Sequence, residues 1–313
     1  MRIFLIGHKS PDLDSVAATV QYKEYLETIG RYEGSELIPV RAGDVNNETT
    51  FIFNKYNVQV PAPMDAYSVD STDAFVLVDH NEESQRHEKV VGTQVLEIVD
   101  HHKINVNFTS PVRIDVKPIG STSSLIFELF KMYDHTPSKE TLGLMLSGIL
   151  SDTVGLKSNT TTGFDSQIAH EIAKELNADI EELTFEIFKA KSDLSGLSIT
   201  QIATKDYKVF DFSGTHVFIN QVETVEPETV LSQKNELIDA LNEVKSREGA
   251  TLGFIVVTDI LKINSQVIYS TDTERIIVEK AFTTVGNDNI ADIGPKMSRK
   301  KDIAPAIEEA IKA

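Results

Sequence analysis

Four apolar segments of this chain each lead directly into histidine and aspartate side chains. Three of the segments have the length and composition of buried β-strands, and the fourth resembles a buried helix. Ligands of open α/β sheets bind beyond the carboxyl ends of the strands, so these ends are predicted to build one site. The segments and the residues that follow them are Ile3–Gly7 with His8, Asp12 and Asp14; Phe75–Val78 with Asp79 and His80; Val95–Val99 with Asp100, His101 and His102; and Leu142–Leu150 with Asp152.

The N-terminal part alternates strand and helix patterns, which predicts an α/β fold built on a parallel sheet with helices on both faces. The predicted strands are Arg2–Gly7, Leu37–Val40, Ala74–Val78 and Val95–Val99. The predicted helices are Asp14–Thr28, Glu48–Tyr56, Leu125–Tyr133, Lys139–Leu150, Phe164–Leu176 and Ile180–Ala190. Two alternatives stay open at helix starts. Asp14 could be a helix cap, and the N–H groups of 120–124 could either bind an anion or simply be capped.

A chain of 313 residues suggests about two domains, and the pattern changes near residue 191. We predict a first domain at 1–190, a flexible linker at 191–196 where small polar residues cluster, and a smaller second domain at 197–313. The second domain is predicted to be a mixed sheet with helices. Its predicted elements are a hairpin of Tyr207–Phe212 and Val217–Val222, strands Leu252–Asp259 and Ile263–Ser270, and helices Pro227–Ser246, Glu274–Phe282 and Ile303–Ile311.

The composition restricts which partners and metals fit. The chain has no cysteine, so any metal must be bound by histidine, carboxylate and water, which favours Mn, Mg, Co or Zn. The net charge of −18 repels nucleic acid backbones, so no nucleic acid partner is expected. The sequence has no apolar run of about 18 residues and no signal-like N-terminus, which predicts a cytoplasmic protein without a membrane partner.

The acidic residues of the predicted site require charge compensation. Besides Asp100, the predicted site contains four aspartates: Asp12, Asp14, Asp79 and Asp152. Four carboxylates in one cavity would repel one another. A pair of divalent cations removes that cost, and two adjacent metals are typical of enzymes that displace oxygen at phosphorus with an activated water. His80 could be a ligand or a residue that supports the ligands, and we favour the supporting role; Asp100 is interpreted as a residue that orients the histidines. Four other histidines are interpreted as surface or structural residues: His87, His135, His170 and His216.

A basic segment, Ser298-Arg299-Lys300-Lys301, stands out in this acidic chain and is predicted to form a loop before the last helix. By itself it could be a solvated charge run. Beside a two-metal site, arginine and lysine would neutralise the far side of a highly charged phosphate substrate. Lys205 and Lys208 could contribute further positive charge.

These motifs together resemble the family II inorganic pyrophosphatases, manganese-dependent members of the DHH phosphoesterase superfamily. The resemblance extends in order over essentially the whole chain. The matching segments are Gly7-His8-x-x-Pro11-Asp12-x-Asp14-Ser15, Asp79-His80-Asn81-Glu82, Asp100-His101-His102, Leu144-Met145-Leu146-Ser147-x-x-x-Ser151-Asp152 and Ser298-Arg299-Lys300-Lys301.

The resemblance implies a site with two Mn²⁺ ions, which Co²⁺ or Mg²⁺ could replace. His8, Asp12 and Asp79 would hold one ion. The second ion would be held by Asp14, Asp79, His101 and Asp152, so that Asp79 bridges the two. Further Mg²⁺ or Mn²⁺ would arrive with the pyrophosphate.

The resemblance also implies how substrate is bound and cleaved. His102 would assist the leaving phosphate, while Arg299, Lys300 and Lys208 would bind the phosphate that is attacked; Lys205 remains an alternative to Lys208. The second domain would close over the first about the linker to complete the site. Homodimers through the edge of the first sheet are expected. Only about twenty residues separate Asp79 from Asp100, too few for an inserted nucleotide-binding domain, so regulation by adenine nucleotides is not expected.

The predicted activity is hydrolysis of pyrophosphate to two orthophosphates. The alternative is a related phosphoesterase that acts on short oligonucleotides, cyclic dinucleotides or polyphosphate. That alternative would favour aromatic residues for base stacking and a glycine-rich segment in the second domain. The chain has no tryptophan and no such segment after residue 196.

Overall fold

The computed structural model describes residues 1–312, which fall into two compact units, Met1–Lys191 and the residues from Ser192 onward. The predicted fold class is confirmed, since a parallel sheet with helices in the first unit is followed by a mixed sheet in the second. Among residues 1–312, no helix is long and apolar enough to cross a membrane.

The first unit is built on a six-stranded parallel sheet with the order β3-β2-β1-β4-β5-β6. Its strands are β1 (Arg2–Ile6), β2 (Glu36–Arg41), β3 (Ala62–Pro63), β4 (Ala74–Val78), β5 (Val95–Asp100) and β6 (Arg113–Val116). The central strands β1 and β4 are apolar almost throughout and buried on both faces, as is usual for parallel sheets. Because β1, β4 and β5 are neighbours, their carboxyl ends lie side by side.

The helices of the first unit pack against one another as well as against the sheet. They are α1 (Leu13–Thr28), α2 (Asn47–Lys55), α3 (Thr122–Met132), α4 (Lys139–Asp152), α5 (Gly163–Leu176) and α6 (Ile180–Lys191). Helix α1 contacts β1, α3 and α4, so it lies at the centre of this layer. On the face of the sheet that carries Phe4 and Phe75, connecting segments contribute apolar residues such as Tyr67 and Phe108.

The second unit contains a five-stranded sheet with the order β11-β10-β9-β8-β7, in which only the β8–β9 pair is parallel. Its strands are β7 (Tyr207–Phe212), β8 (Thr215–Thr224), β9 (Leu252–Asp259), β10 (Asn264–Ile268) and β11 (Ile290–Gly294). Its helices are α7 (Ile199–Ala203), α8 (Pro227–Leu231), α9 (Lys234–Glu248), α10 (Asp272–Phe282) and α11 (Ala304–Lys312). A hydrophobic core covers each face, one containing Ile219 and Ile307, the other Phe218 and Leu241.

The structure corrects three local predictions. The single helix predicted over Pro227–Ser246 is two helices, α8 and α9, because the Ser232 hydroxyl donates to Thr229 O and the backbone turns at Gln233. The residues after Ser298 form a π-helical turn, Arg299–Ile303, rather than a loop. The cap of α1 is Asp12, whose carboxylate accepts from Ser15 N at 2.9 Å, so Asp14 is free for another role.

Candidate metal centre and substrate-binding segment

The structure brings the six predicted metal ligands together at the carboxyl ends of the central strands. His8, Asp79 and His101 follow β1, β4 and β5, which are adjacent in the sheet. Asp12 and Asp14 lie at the start of α1, and Asp152 is the last residue of α4. Ligand atoms of His8, Asp12 and Asp79 lie within 4.8 Å of one another, and so do those of the second group: Asp14, Asp79, His101 and Asp152.

Asp79 belongs to both groups, and its two oxygens face different histidines. Its Oδ2 lies 3.5 Å from His8 Nε2, and its Oδ1 lies 3.4 Å from His101 Nε2. The residue adopts a left-handed backbone conformation with φ of 61° directly after β4. Such a conformation is costly for most residues and concentrates at functional sites, although aspartate tolerates it better than most. The turn directs one carboxylate toward both ligand groups.

The imidazole rings present the correct nitrogen to this centre. The Nδ1 of His8 lies 2.7 Å from Lys9 O, and the Nδ1 of His101 lies 2.9 Å from Ile119 O. A carbonyl can only accept, so each Nδ1 carries a proton and each Nε2 is the nitrogen left to face a cation. This is the usual arrangement of a metal-binding histidine.

Two buried atoms of the centre have no hydrogen-bond partner among residues 1–312, namely Asp79 Oδ2 and His101 Nε2. A buried carboxylate oxygen and a buried ring nitrogen without partners are expensive, and cations held by the two ligand groups would satisfy both. Oxygen and imidazole nitrogen donors suit Mn²⁺ and other divalent ions of intermediate hardness. The residues present therefore fit a manganese site.

The electrostatics of the centre also favour positive charge. Burial, reinforced by the neighbouring carboxylates, raises the pKa of Asp14 to about 6 and that of Asp152 well above its ordinary value. Burial alone would lower the pKa of His8, but the carboxylates of Asp12 and Asp79 outweigh it and raise that pKa to about 11. A cluster that binds protons this strongly is one that divalent cations would stabilise.

The N-terminus of α3 holds the carboxylate of Asp14, an interaction that the sequence analysis did not identify. Thr122 N donates to Asp14 Oδ2 at 2.8 Å, and both the N–H and the hydroxyl of Ser123 donate to Asp14 Oδ1. The Thr122 hydroxyl donates to Asp79 Oδ1 at 2.7 Å. The anion held at this helix terminus thus belongs to the protein itself, and two of the predicted ligands are oriented by it.

His102 lies at the edge of the centre and is half exposed. Its Nδ1 lies 2.9 Å from Asp100 Oδ1, and this hydrogen bond, opposed by burial, raises the pKa of His102 to about 9. Asn81 Nδ2 in turn donates to Asp100 Oδ2 at 2.5 Å. Asp100 therefore orients His102, as we interpreted from the sequence, and Asn81 extends the chain of contacts.

His80 is buried behind the centre. Its Nδ1 lies 2.9 Å from Val78 O, and burial lowers the pKa of the ring to about 4, so the ring is neutral. It belongs to none of the groups of ligand atoms that could hold an ion. This position agrees with a supporting role.

The basic segment and Lys208 lie in the second unit. The Ser298 hydroxyl accepts from Lys301 N at 3.2 Å and so caps the turn that carries Arg299 and Lys300. Lys208 and Phe210 lie two residues apart on β7 and face the same side of the sheet, where Lys208 Nζ lies 5.2 Å from the centre of the Phe210 ring.

The chain matches two family models and full-length known proteins. Residues 2–149 match the model of the DHH family, N-terminal domain, and residues 185–310 match the DHHA2 domain. A Bacillus licheniformis protein described as "Probable manganese-dependent inorganic pyrophosphatase" is 36% identical over 99% of both chains. A Methanocaldococcus jannaschii protein named "Manganese-dependent inorganic pyrophosphatase" is 35% identical over 98% of both.

The chain belongs to the manganese-dependent inorganic pyrophosphatase family. This confirms the family II resemblance that the motifs indicated. A crystal structure of a Methanococcus jannaschii protein assigned to family II inorganic pyrophosphatases shares the architecture over 100% of both chains, with 34% identity and a TM-score of 0.60. An exopolyphosphatase-related protein from Bacteroides fragilis shares the fold. It is 16% identical with a TM-score of 0.50, and the match covers 99% of the present chain and 92% of the other.

Proposed function

We propose that this enzyme hydrolyses inorganic pyrophosphate to two orthophosphates and that it works with two Mn²⁺ ions. The observation that carries the proposal is the pair of ligand groups that share Asp79, with all their ligand atoms within 4.8 Å inside each group. Full-length relatives with manganese-dependent pyrophosphatase names support it. Pyrophosphate and water contain all the atoms of the products, so no further co-reactant is needed.

In this proposal His8, Asp12 and Asp79 hold one ion, and the other group holds the second: Asp14, Asp79, His101 and Asp152. Co²⁺ or Mg²⁺ could substitute, and a further Mg²⁺ or Mn²⁺ arrives with the substrate. When bound, the two ions would supply Lewis-acid chemistry that activates water and polarises phosphate oxygens. Thr122 and Ser123 hold the carboxylates of Asp14 and Asp79 in place by hydrogen bonds.

The remaining roles fall to residues of the chain itself. His102, oriented by Asp100, donates a hydrogen bond or a proton to the phosphate that leaves when the P–O–P bridge breaks. Arg299 and Lys300 bind the oxygens of the attacked phosphate and neutralise its charge. Lys208 joins them and is favoured over Lys205, because it lies on the same face of β7 as Phe210, which packs on the same core as Ile303 of the basic turn.

We further propose the organisation in which these groups act. Residues 1–190 form the metal-binding domain and 197–313 the substrate-binding domain, with 191–196 as a flexible linker. The second domain closes over the first when substrate binds, which excludes water and completes the site. The enzyme acts in the cytoplasm as a homodimer through the edge of the first sheet, and light scattering on the purified protein would test the dimer.

The activity is tested by removing divalent metal with a chelator, adding Mn²⁺ back and measuring phosphate release from pyrophosphate. Restored release with Mn²⁺ supports the proposal, and a parallel series with Co²⁺ and Mg²⁺ ranks the ions. Polyphosphate and a linear dinucleotide serve as comparison substrates. No release from pyrophosphate, or faster turnover of either comparison substrate, would overturn it.

A further inference from the structure

Arg299 is fixed by contacts inside the second unit. Its Nη2 donates to Asp206 Oδ1 at 2.8 Å, and its Nη1 donates to the backbone oxygen of the same residue. Its Nε is buried and has no hydrogen-bond partner among residues 1–312. The arginine side chain is only 11% exposed, whereas that of Asp206 is 65% exposed. A guanidinium has five N–H donors; Asp206 takes two and the Nε–H is buried, so one N–H on each Nη remains for a ligand.

The backbone of the segment before Arg299 is held by polar side chains that cross the sheet. Gln221 on β8 accepts from Arg299 N at 3.2 Å through Oε1, and its Nε2 donates to Met297 O at 2.9 Å and to Thr258 Oγ1 at 3.0 Å. Thr258 contacts Ser265 at 2.9 Å, and Ser265 Oγ donates to Lys296 O at 2.8 Å. We call Asp206, Gln221, Thr258 and Ser265 the arginine frame.

Three of the four members of the frame are buried, and buried polar side chains are costly unless they are fully satisfied. Gln221 is 6% exposed, and Thr258 and Ser265 are fully buried. Apolar residues would fill these sheet positions more cheaply if packing were their only purpose. Gln221 and Ser265 instead hydrogen-bond the backbone of the segment that carries Arg299, and Thr258 links these two side chains. The frame therefore rigidifies that segment.

The strand register connects the frame to Lys208. Gln221 N donates to Asp206 O at 2.9 Å, which continues the β7–β8 ladder by one residue beyond Tyr207. Asp206 and Lys208 are two residues apart, so both project from the same face of the sheet. The frame thus sets the position of Arg299 relative to Lys208 on a rigid element.

We propose that Asp206 and Gln221 are positioning residues that hold Arg299 in the orientation in which it binds phosphate, a role that rests on the proposed function. Asp206 occupies two donors of the guanidinium and leaves one N–H on each Nη for the substrate. Gln221 fixes the backbone from which the side chain extends. Holding the arginine beforehand lowers the cost of ordering it when the phosphate arrives.

The first experiment compares Asp206→Ala with Asp206→Asn in the Mn²⁺-loaded enzyme. Loss of the contact between Asp206 and Arg299 lets the guanidinium move. A displacement of about 1 Å from the binding position is expected to lower kcat/KM by about 10- to 100-fold. Asparagine keeps an acceptor at the same place, so Asp206→Asn stays within about fivefold of the wild type. Asp211→Ala is the matched control, because Asp211 is a β7 aspartate of similar side-chain exposure, 64%, that contacts Gly214 N and not Arg299.

The second experiment is a double-mutant cycle with Arg299→Ala. If Asp206 and Gln221 act through Arg299, Asp206→Ala and Gln221→Leu change kcat/KM by less than about twofold once Arg299 is already absent. Affinity for imidodiphosphate, a substrate analogue with a P–N–P bridge, is measured by calorimetry and falls in the single variants only. Thermal unfolding of each variant identifies any that fail to fold; if Asp206→Ala or Gln221→Leu does, the other of these two variants carries the test.

The outcomes separate this proposal from the proposed function. Wild-type enzyme that releases no phosphate from pyrophosphate overturns the function itself. Active wild-type enzyme in which the losses multiply in the double variants, or in which Asp211→Ala loses as much as Asp206→Ala, overturns the positioning role. Losses that vanish in the Arg299→Ala background, with rescue by Asp206→Asn, establish it.

Discussion

The first turn of helix α3 contains two buried serines, Ser123 and Ser124, whose hydroxyl groups differ in their contacts. The Ser123 hydroxyl donates to Asp14 Oδ1, whereas the Ser124 hydroxyl is buried without a hydrogen-bond partner among residues 1–312. Residues that orient metal ligands typically account for 10–100-fold in metal affinity, so we expect Ser123→Ala to weaken Mn²⁺ binding by about 10-fold or more. Calorimetric titration of metal-stripped protein measures this.

Ser124→Ala is the matched control for that prediction and should bind Mn²⁺ within about twofold of the wild type. Equal weakening in both variants would mean that packing at the start of α3, rather than the hydrogen bond to Asp14, determines affinity. Unchanged affinity in Ser123→Ala would mean that the helix N–H groups alone suffice to hold the carboxylate.

Among single residues, the sequence predicted the six candidate ligands but not Thr122 and Ser123, which orient Asp14 and Asp79. Histidine and aspartate at strand ends are recognisable because they are rare in such positions without a function. Thr122 and Ser123 precede an ordinary amphipathic helix, where hydroxyl residues usually serve as caps. Only the fold shows that these donors face Asp14, which is more than a hundred residues away in the chain.

Among the elements, the long buried strands and the helices with clear periodicity were predicted closely, and Leu252–Asp259 was predicted with its observed bounds. Three strands were not predicted, β3, β6 and β11, and each is short and lies at the edge of its sheet. Strands β6 and β11 also mix charged with apolar residues. Their identity as strands comes from the neighbour they pair with rather than from their own pattern.

Helix α10 depends on one buried acid at its start. Glu274 is fully buried and accepts hydrogen bonds from Lys245 Nζ at 2.7 Å and from Gly253 N at 2.8 Å, besides closing a capping box with Thr271. Burial raises its pKa, but the contact with Lys245 and the backbone donors outweigh burial, and the net pKa is lowered. Glu274→Gln leaves a buried lysine without its counter-charge, and should cost roughly 3 kcal/mol in the free energy of unfolding at neutral pH.

The same residue predicts a pH dependence with a definite sign. Because the folded-state pKa of Glu274 is below its unfolded value of about 4.3, its stabilisation is present above that pH and is lost as the pH falls through the folded pKa. Urea unfolding at neutral pH and at about pH 3 should therefore show a smaller acid-induced loss in Glu274→Gln than in the wild type. Glu279→Gln, which removes a surface ion pair on the same helix, should destabilise the protein much less at neutral pH. Equal effects of the two variants would refute the role of burial.

For the whole molecule, the metal centre couples ligand binding to stability. Four carboxylates meet at the carboxyl end of the first sheet, and divalent cations relieve their mutual repulsion. Mn²⁺ at about 100 times its Kd should stabilise the metal-stripped protein by roughly 2.7 kcal/mol, seen as a rise in Tm. Sodium chloride at matched ionic strength should produce a much smaller shift. A rise of equal size with both salts would indicate general screening instead of a specific site.

The first unit is predicted to bind the metal ions and the second to bind phosphate, and two substitutions test these roles separately. Asp79→Ala removes a carboxylate that faces both ligand groups, so metal content should fall, with Mn²⁺ affinity reduced by at least about 100-fold and most activity lost.

Arg299→Ala should leave Mn²⁺ affinity within about twofold, because its contacts lie within the second unit. It should instead raise KM for pyrophosphate or lower kcat, by roughly 10²–10³-fold in kcat/KM, as expected for loss of a charge that stabilises the phosphoryl group. Metal analysis beside phosphate-release kinetics measures both quantities on the same samples. Equal metal loss in the two variants would contradict the division, since a residue that only binds phosphate has no reason to affect ions held by strand ends in the other unit.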